Sequence, residues 1–330
     1  MGRAAHRPGL SGTSTLRRPV VILAGPTASG KSALALDLAR ALGGTVINAD
    51  SMQVYRELRV LTARPSPEEE AEIPHRLYGV LPAAEACSAA RWRSLALAVI
   101  SEAHAAGRLP ILVGGTGLYL RAIERGLSPI PDIPADIRAG TRRRFADMGN
   151  AAFHAELAAR DPEMAARLKP GDSQRLMRAA EVLAATGRSL ADWQRSGEPD
   201  GRQEGLAFHT VALLPPRPEL RRRIEARFAA MLAAGALEEV RGLASLGLSR
   251  DLPAMKAHGV PELMRHLAGE ITIEDASRRA VLATGQYAKR QETWLRHQIR
   301  KDHVVEQQYK GSLSTAIANK IRQFLLTLRG

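Results

Sequence analysis

A phosphate-binding loop pattern near the amino terminus restricts what this chain can fold into. Eight consecutive residues match G-x-x-x-x-G-K-[ST], namely Gly25, Pro26, Thr27, Ala28, Ser29, Gly30, Lys31 and Ser32. The apolar segment VVILAG precedes them and a helix-patterned segment, residues 31–42, follows, which is the strand–loop–helix context that such a loop requires. Backbone N–H groups and the helix N-terminus can then bind phosphate oxygens, with Lys31 adding charge and the Ser32 hydroxyl placed to ligate Mg²⁺. The motif predicts a polyphosphate site but does not specify a reaction.

Two further apolar segments predict the rest of a parallel sheet. TVINAD ends on Asp50, and LPILVGG leads into the turn that contains Thr116. Continuous apolar runs of this length are typical of strands buried on both faces. Because open α/β folds bind ligands at the carboxyl ends of their strands, we expect Asp50 and Thr116 to lie at the binding edge.

The order of strand-like and helix-like segments along the chain predicts an α/β fold. We expect a P-loop NTPase-like parallel sheet core flanked by helices, with an inserted all-helical domain. A proline-rich segment, SPIPDIP, begins the inserted part, and LAFHTVALLP returns to the sheet. The domain boundaries follow from these changes. They are a disordered basic tail at 1–18, the catalytic core at 19–127 and 206–305, the inserted helical domain at 128–205, and a C-terminal helix at 306–330.

Composition narrows the class of protein. A formal net charge of +13 indicates a polyanionic partner, although an arginine-rich genome would produce the same excess. The single cysteine, Cys87, excludes an intramolecular disulfide and indicates a reducing compartment. No apolar run reaches the length of a membrane span. We therefore expect a cytoplasmic protein with no membrane partner, and a monomer.

Several strings together resemble the tRNA dimethylallyltransferase family, also called tRNA isopentenyltransferases or IPP transferases. They extend from about Val20 to Arg296 and read GPTASGKS, NADSMQVYR, PHRLYG, SAARWR, LPILVGGTGLYLRAIERGLSPIP, DSQRLMRAAEV, RIEARF and AKRQETW. The resemblance implies transfer of a dimethylallyl group from dimethylallyl diphosphate to the exocyclic amine of the adenosine 3′ to the anticodon, in tRNAs that read codons beginning with U. Diphosphate is released.

The resemblance also implies roles for individual residues. The P-loop, Lys31 and Mg²⁺ at Ser32 would stabilise the departing diphosphate, with Arg227 completing the clamp. Asp50 would accept the proton of the amine, and Thr116 would make a second polar contact in the reaction channel. Each role has a competing interpretation. Asp50 also fits a metal-holding or helix-capping acid, Thr116 fits an N-cap for a helix beginning at Leu118, and Arg227 stands in an arginine-rich helix whose members are usually solvated.

By the same resemblance, three segments are expected to contact the anticodon loop of tRNA. The first segment borders the extruded base and comprises Asp50, Ser51, Met52 and Gln53. The second lies in the inserted domain and comprises Gln174, Arg175, Leu176, Met177 and Arg178. The third comprises Lys256, His258 and Gly259.

Three departures from the family pattern limit how far the family's residue roles can be assigned to this chain. Leu61 stands where glycine is usual, Val260 stands where an aromatic ring is usual, and Gly285 replaces an arginine.

Three rival functions remain open. A small-molecule kinase or a nucleic-acid-binding ATPase would also use a P-loop, and a related enzyme would prenylate free adenine nucleotide. A kinase does not require a basic inserted domain, and an ATPase should hydrolyse nucleotide.

Overall fold

A computed structural model describes residues 17–195 and 205–328 of the chain. Residues 1–16 of the expected basic tail lie outside the described part. The described chain enters the first strand at Arg18, one residue earlier than expected.

Within residues 17–195 and 205–328, six parallel strands form one sheet, which confirms the predicted α/β class. The strands are β1 (Arg18–Ala24), β2 (Gly44–Asn48), β3 (His75–Arg76), β4 (Leu109–Gly114), β5 (Leu206–Leu213) and β6 (His303–Val305). Their spatial order is β3-β2-β4-β1-β5-β6. Val21 of β1 pairs with Ile111 on one side and with His209 on the other. The P-loop therefore leaves the sheet from a central strand.

Burial on both faces explains why β1 reads as a continuous apolar run. Val20 and Ile22 belong to one hydrophobic cluster, and Val21 and Leu23 belong to a second cluster on the opposite face. Each is fully buried, which stabilises the fold by about 1.5–3 kcal/mol per side chain.

Helices cover the sheet and form the rest of the first compact unit, whose described residues are 17–124 and 205–328. Before the second unit these are α1 (Lys31–Leu42), α2 (Pro67–Glu72), α3 (Ala89–Ala105) and α4 (Gly117–Arg125). The helices after β5 are α9 (Arg217–Ala233), α10 (Ala236–Ser245), α11 (Val260–Leu267), α12 (Ile273–Gln298) and α13 (Ser314–Thr327). None of the helices in the described ranges is both long enough and apolar enough to span a membrane.

The second compact unit contains, within described residues 125–195, only helices as regular elements. They are α5 (Ala135–Arg160), α6 (Pro162–Ala166), α7 (Ser173–Thr186) and α8 (Leu190–Arg195). α5 is interrupted at Gly149, whose φ of 72° is outside the helical range. The unit has its own apolar core, in which Phe153, Leu157 and Val182 are buried.

Several expected boundaries were wrong. The helix expected over 306–330 begins only at Ser314, because β6 pairs with β5 and a short 3₁₀ turn, Gly311–Leu313, precedes the helix. β2 ends at Asn48, so Asp50 lies two residues beyond the strand. The helix expected to begin at Leu118 begins at Gly117.

Candidate active site

The P-loop connects β1 to α1 and is shaped by backbone in the left-handed region. Ala28 has a φ of 63° and Gly30 a φ of 91°, and α1 begins immediately afterwards at Lys31. A side chain at Gly30 would be strained, and its Cβ would lie 2.8 Å from the Cβ of Tyr309. The loop thus directs the first N–H groups of α1 toward the site that an anion would occupy.

Lys31 and Ser32 line a cavity of about 580 Å³, which we call the P-loop cavity. Burial lowers the pKa of Lys31 to about 8, a shift that Asp50 opposes and Arg227 reinforces. Other cationic residues on the wall of this cavity are Arg64, Arg223 and Arg227. A cluster of positive groups around a phosphate-binding loop favours a multiply charged anion.

Asp50 is held in a tight turn after β2. Its N–H donates to Asn48 Oδ1 at 2.8 Å, and its Oδ1 accepts from the Met52 N–H at 2.9 Å. No helix begins in this turn, so the helix-capping interpretation is wrong. The carboxylate is half-buried and lines a second cavity.

That second cavity, called the Asp50 cavity below, joins polar groups to an apolar wall. Its volume is about 80 Å³. The polar lining comes from Thr27, Asp50, Thr62, Arg227, His258, Thr284 and Tyr287, and the apolar lining from Met52, Leu61, Ile224, Phe228, Met231 and Ala257. Arg227 is common to the two cavities. The Arg227 side chain is therefore within reach of groups bound in either cavity.

Thr116 contacts the Asp50 turn through its side chain. Oγ1 accepts from the Ser51 N–H at 2.9 Å and lies 3.3 Å from Ser51 Oγ. The Thr116 carbonyl oxygen accepts from N–H groups in the first turn of α4. Its hydroxyl, however, bonds to Ser51 and not to α4, so the interpretation of Thr116 as a side-chain N-cap is wrong. The end of β4 lies so close to the residue after β2 that position 114 must be glycine: a Cβ on Gly114 would lie 2.1 Å from the carbonyl oxygen of Ala49.

Arg227 differs from the other arginines of α9. Arg221, Arg222 and Arg223 are exposed, whereas Arg227 is half-buried and its Nη1 donates to Thr27 Oγ1 at 3.4 Å. Burial lowers the pKa of its guanidinium, and Asp50 opposes that shift. The solvated interpretation is therefore wrong for Arg227.

Two residues of α12 that sequence reasoning did not assign also belong to the site. Burial raises the pKa of the Tyr287 hydroxyl, which interacts with the side chains of Thr116 and Gln291. The Tyr287 ring packs against His258 with centroids 4.7 Å apart. The AKRQETW string was the available signal, but a string alone does not show which face of its helix meets the site.

The residues expected to contact tRNA are placed in different surroundings. Ser51 and Met52 lie beside Asp50, and Gln53 lines the P-loop cavity while its amide donates to the carbonyl oxygens of Thr62 and Ala63. His258 lines the Asp50 cavity, and burial lowers the pKa of its imidazole.

Lys256 and Gly259 flank His258 and have different environments. Lys256 is exposed and pairs with Asp251 at 3.3 Å. Gly259 is buried at the N-cap of α11.

The remaining expected contacts lie on α7 of the second unit. Gln174 and Arg175 are exposed, and Met177 and Arg178 are half-buried. Leu176 is fully buried in the core of that unit. The expectation that Leu176 contacts RNA is therefore wrong, because its side chain packs in the core beneath α7.

Comparisons with known proteins find relatives over most of this chain. A family model described as IPP transferase matches residues 53–298. A tRNA dimethylallyltransferase from Rhodospirillum centenum is 60% identical over 86% of this chain and 90% of its own length, and one from Paramagnetospirillum magneticum is 56% identical over 96% and 99%.

Solved structures give the same result. The tRNA isopentenylpyrophosphate transferase from Bacillus halodurans superposes with a TM-score of 0.69 at 32% identity, covering 95% of this chain and 98% of its own. A eukaryotic dimethylallyltransferase acting on tRNA has a TM-score of 0.72 at 26% identity, covering 84% of this chain and 70% of its own.

Proposed function

The chain belongs to the IPP transferase family, and from this premise we propose that it transfers a dimethylallyl group from dimethylallyl diphosphate to tRNA. The acceptor is the exocyclic amine of the adenosine 3′ to the anticodon, in tRNAs reading codons that begin with U. It is a tRNA prenyltransferase, and its products are the prenylated adenosine and diphosphate.

One observation carries the residue assignments: Arg227 lines both the P-loop cavity and the Asp50 cavity. A diphosphate bound by the P-loop would have its ester carbon directed toward the Asp50 cavity, whose apolar wall suits a hydrocarbon chain. A carboxylate stands on the polar side of the same cavity. This arrangement supports displacement at carbon, with the diphosphate leaving intact.

The proposed reaction uses the two cavities together. The bond between the allylic carbon and the diphosphate oxygen breaks, and a bond from that carbon to the adenine nitrogen forms. Lys31, Arg227 and the N–H groups at the start of α1 stabilise the negative charge that develops on the diphosphate. Asp50 accepts the proton that the amine releases, which requires a separation of about 2.6–3.2 Å in the reacting complex.

Ser32 fits a Mg²⁺ ligand at this site. Its side chain is exposed at the start of α1 and lines the P-loop cavity beside Lys31. A hydroxyl oxygen is a hard ligand, and Mg²⁺ commonly combines one or two protein ligands with phosphate oxygens and water. When bound, the ion would supply charge that stabilises the leaving diphosphate.

Binding of tRNA would place an unstacked base against Asp50, with its amine facing the donor chain in the Asp50 cavity. A base extruded from a loop costs a few kcal/mol, which contacts to its edge and ring must offset. Ser51, Met52 and His258 are the proposed neighbours of that base. The exposed residues Gln174 and Arg175 on α7 are proposed to contact the tRNA backbone, in the cytoplasm where unmodified tRNA is available.

The test is a transfer assay with labelled dimethylallyl diphosphate, Mg²⁺ and unmodified tRNA. AMP is offered as a competing acceptor and ATP as a competing phosphate donor. We expect label on tRNA and release of one diphosphate per transfer. Label on AMP alone would reject the tRNA acceptor, and phosphate release from ATP without prenyl transfer would favour the kinase or ATPase alternatives.

A further inference from the structure

The side chain of Gln291 connects the P-loop to the turn after β4. Its Oε1 accepts a hydrogen bond from the Thr27 N–H at 2.9 Å, and its Nε2 donates to the carbonyl oxygen of Gly115 at 3.0 Å. The residue is only 5% exposed. We propose that Gln291 is a positioning residue for the transfer reaction proposed above. It would set the separation between the leaving-group side of the site and the base side.

The leaving-group end of this connection runs through Thr27. Gln291 occupies the Thr27 N–H, which fixes the orientation of that residue in the loop. The Thr27 hydroxyl oxygen accepts from Arg227 Nη1 at 3.4 Å. The position of the guanidinium that lines both cavities thus depends on Thr27, and through it on Gln291.

The base end runs through the residue that follows Gly115. Thr116 Oγ1 accepts from the Ser51 N–H at 2.9 Å, and Ser51 is bonded directly to Asp50 in the chain. Tyr287, one helical turn before Gln291 on α12, interacts with both Thr116 and Gln291 through its hydroxyl. Gln291 thus holds the β4–α4 turn against α12, and Thr116 joins that turn to the Asp50 turn.

Close packing leaves the Gln291 amide no alternative arrangement. A Cβ on Gly115 would lie 2.1 Å from Gln291 Nε2 and 2.8 Å from the Gly25 carbonyl oxygen, so the amide fits because residue 115 has no side chain. Reversing the amide would set oxygen against the Gly115 carbonyl and NH₂ against the Thr27 N–H. A glutamate would keep the acceptor at Thr27 but would lose the donor to Gly115.

Positioning has a large effect on a reaction between two bound molecules. A displacement of about 1 Å at the reacting atoms can lower a rate by about 10²-fold. Gln291 is placed to act on the rate of the chemical step more than on the affinity for either substrate, because it binds two loops and lies behind the residues proposed to touch substrate.

The test compares Gln291→Met, which has similar length and no amide, with Gln291→Glu. Single-turnover rates on tRNA and dissociation constants for both substrates are measured together. We expect the methionine variant to transfer about 10²-fold more slowly and the glutamate variant about 10-fold more slowly, with both dissociation constants within about threefold of wild type. Gln298→Met, the same substitution at an exposed position of α12, should behave as wild type.

A double-mutant cycle with Thr116→Val separates positioning from loss of folding. If Gln291 acts through the β4–α4 turn, the combined rate loss should be smaller than the product of the single losses. If the methionine variant does not fold, the glutamate variant and its cycle give the same comparison. Unchanged single-turnover rates, or multiplicative losses in the cycle, would overturn the inference.

The wild-type protein in the same assay distinguishes the two proposals. Absence of transfer by wild type would reject the proposed function and this inference with it. Normal transfer by both wild type and the Gln291 variants would reject the inference alone.

Discussion

Arg227 Nη1 lies 3.4 Å from Thr27 Oγ1, although 200 positions separate the two residues in the chain. The contact joins helix α9 to the P-loop and places a half-buried guanidinium where the two cavities meet. A charge partly removed from water interacts more strongly with a bound anion than an exposed charge does. The remote helix therefore brings a cation to the wall of the P-loop cavity, as the proposed diphosphate clamp requires.

Replacement of Arg227 should weaken donor binding. Arg227→Gln removes the charge at the junction of the cavities, and we expect the KM for dimethylallyl diphosphate to rise by about 10-fold or more. Steady-state kinetics with saturating tRNA provides the measurement. Arg221→Gln is the matched control, because the Arg221 side chain is 82% exposed on the same helix. Equal KM values for the two variants would remove Arg227 from the clamp.

Replacement of Asp50 should slow chemistry without preventing tRNA binding. Asp50→Asn keeps an acceptor for the Met52 N–H, which donates to Asp50 Oδ1 in the wild-type turn, but it cannot accept a proton at neutral pH. For both Asp50→Asn and Asp50→Ala we expect single-turnover transfer to fall by about 10²-fold or more, with the dissociation constant of tRNA nearly unchanged. A variant that turns over at the wild-type rate would exclude the base role.

The Thr116 hydroxyl should matter more than its shape. Thr116→Val preserves the branched side chain and removes the acceptor for the Ser51 N–H, which leaves a half-buried donor unpaired at a cost of about 1–3 kcal/mol. We expect transfer to slow by about 10-fold as the Asp50 turn shifts. Thr116→Ser keeps the hydroxyl and should remain close to wild type. The reverse order of the two variants would indicate a packing role.

Salt should weaken tRNA binding steeply. The chain carries a formal net charge of +13, and each phosphate neutralised by a lysine or arginine contributes a slope of about −0.7 to −0.9 to the dependence of log affinity on log salt. We expect a slope of about −3 or steeper in filter-binding or anisotropy titrations. A flat dependence would show that the basic surface does not contact the RNA.

Local signals predicted the fold well where a motif defines both ends of an element. The helix expected at Lys31 ends at Leu42 as predicted, because the P-loop sets its start and Gly43 adopts a left-handed C-cap with a φ of 64°. β3 and β6 were missed because two and three residues are too short for a periodic pattern. Their pairing depends on neighbours distant in sequence, which a single sequence does not display.

The site was predictable to a similar extent. Asp50 and Thr116 follow strands, so their shared edge follows from the rule for parallel sheets. Arg227 and Gln291 lie on helices remote from the P-loop, and periodicity indicates a buried face without identifying what that face meets. Leu176 was assigned to RNA because its segment resembles a binding segment, yet its side chain is buried. Resemblance of a whole segment does not distinguish its core positions from its surface positions.

Lys31 gives the final prediction, which concerns pH. Burial lowers the pKa of its ammonium from 10.5 to about 8. Between about pH 8 and 10.5 the unfolded chain holds this proton more tightly than the native protein, so the contribution of Lys31 to the free energy of unfolding grows as pH rises. A bound diphosphate should reverse the shift, because the adjacent anion stabilises the ammonium.

Donor binding above pH 8 should therefore take up a proton. Phosphate groups with a second pKa near about 6 are already ionised there, so the uptake reports on the protein. Calorimetry at pH 8.5 in buffers of different ionisation enthalpy measures it, and we expect a fraction of one proton for wild type. The guanidinium of Lys31→Arg is charged at every pH in this range, so this variant should take up no proton. Its affinity for dimethylallyl diphosphate should also fall less than that of wild type as pH rises. Equal proton uptake by wild type and the arginine variant would mean that Lys31 is already charged in the free protein.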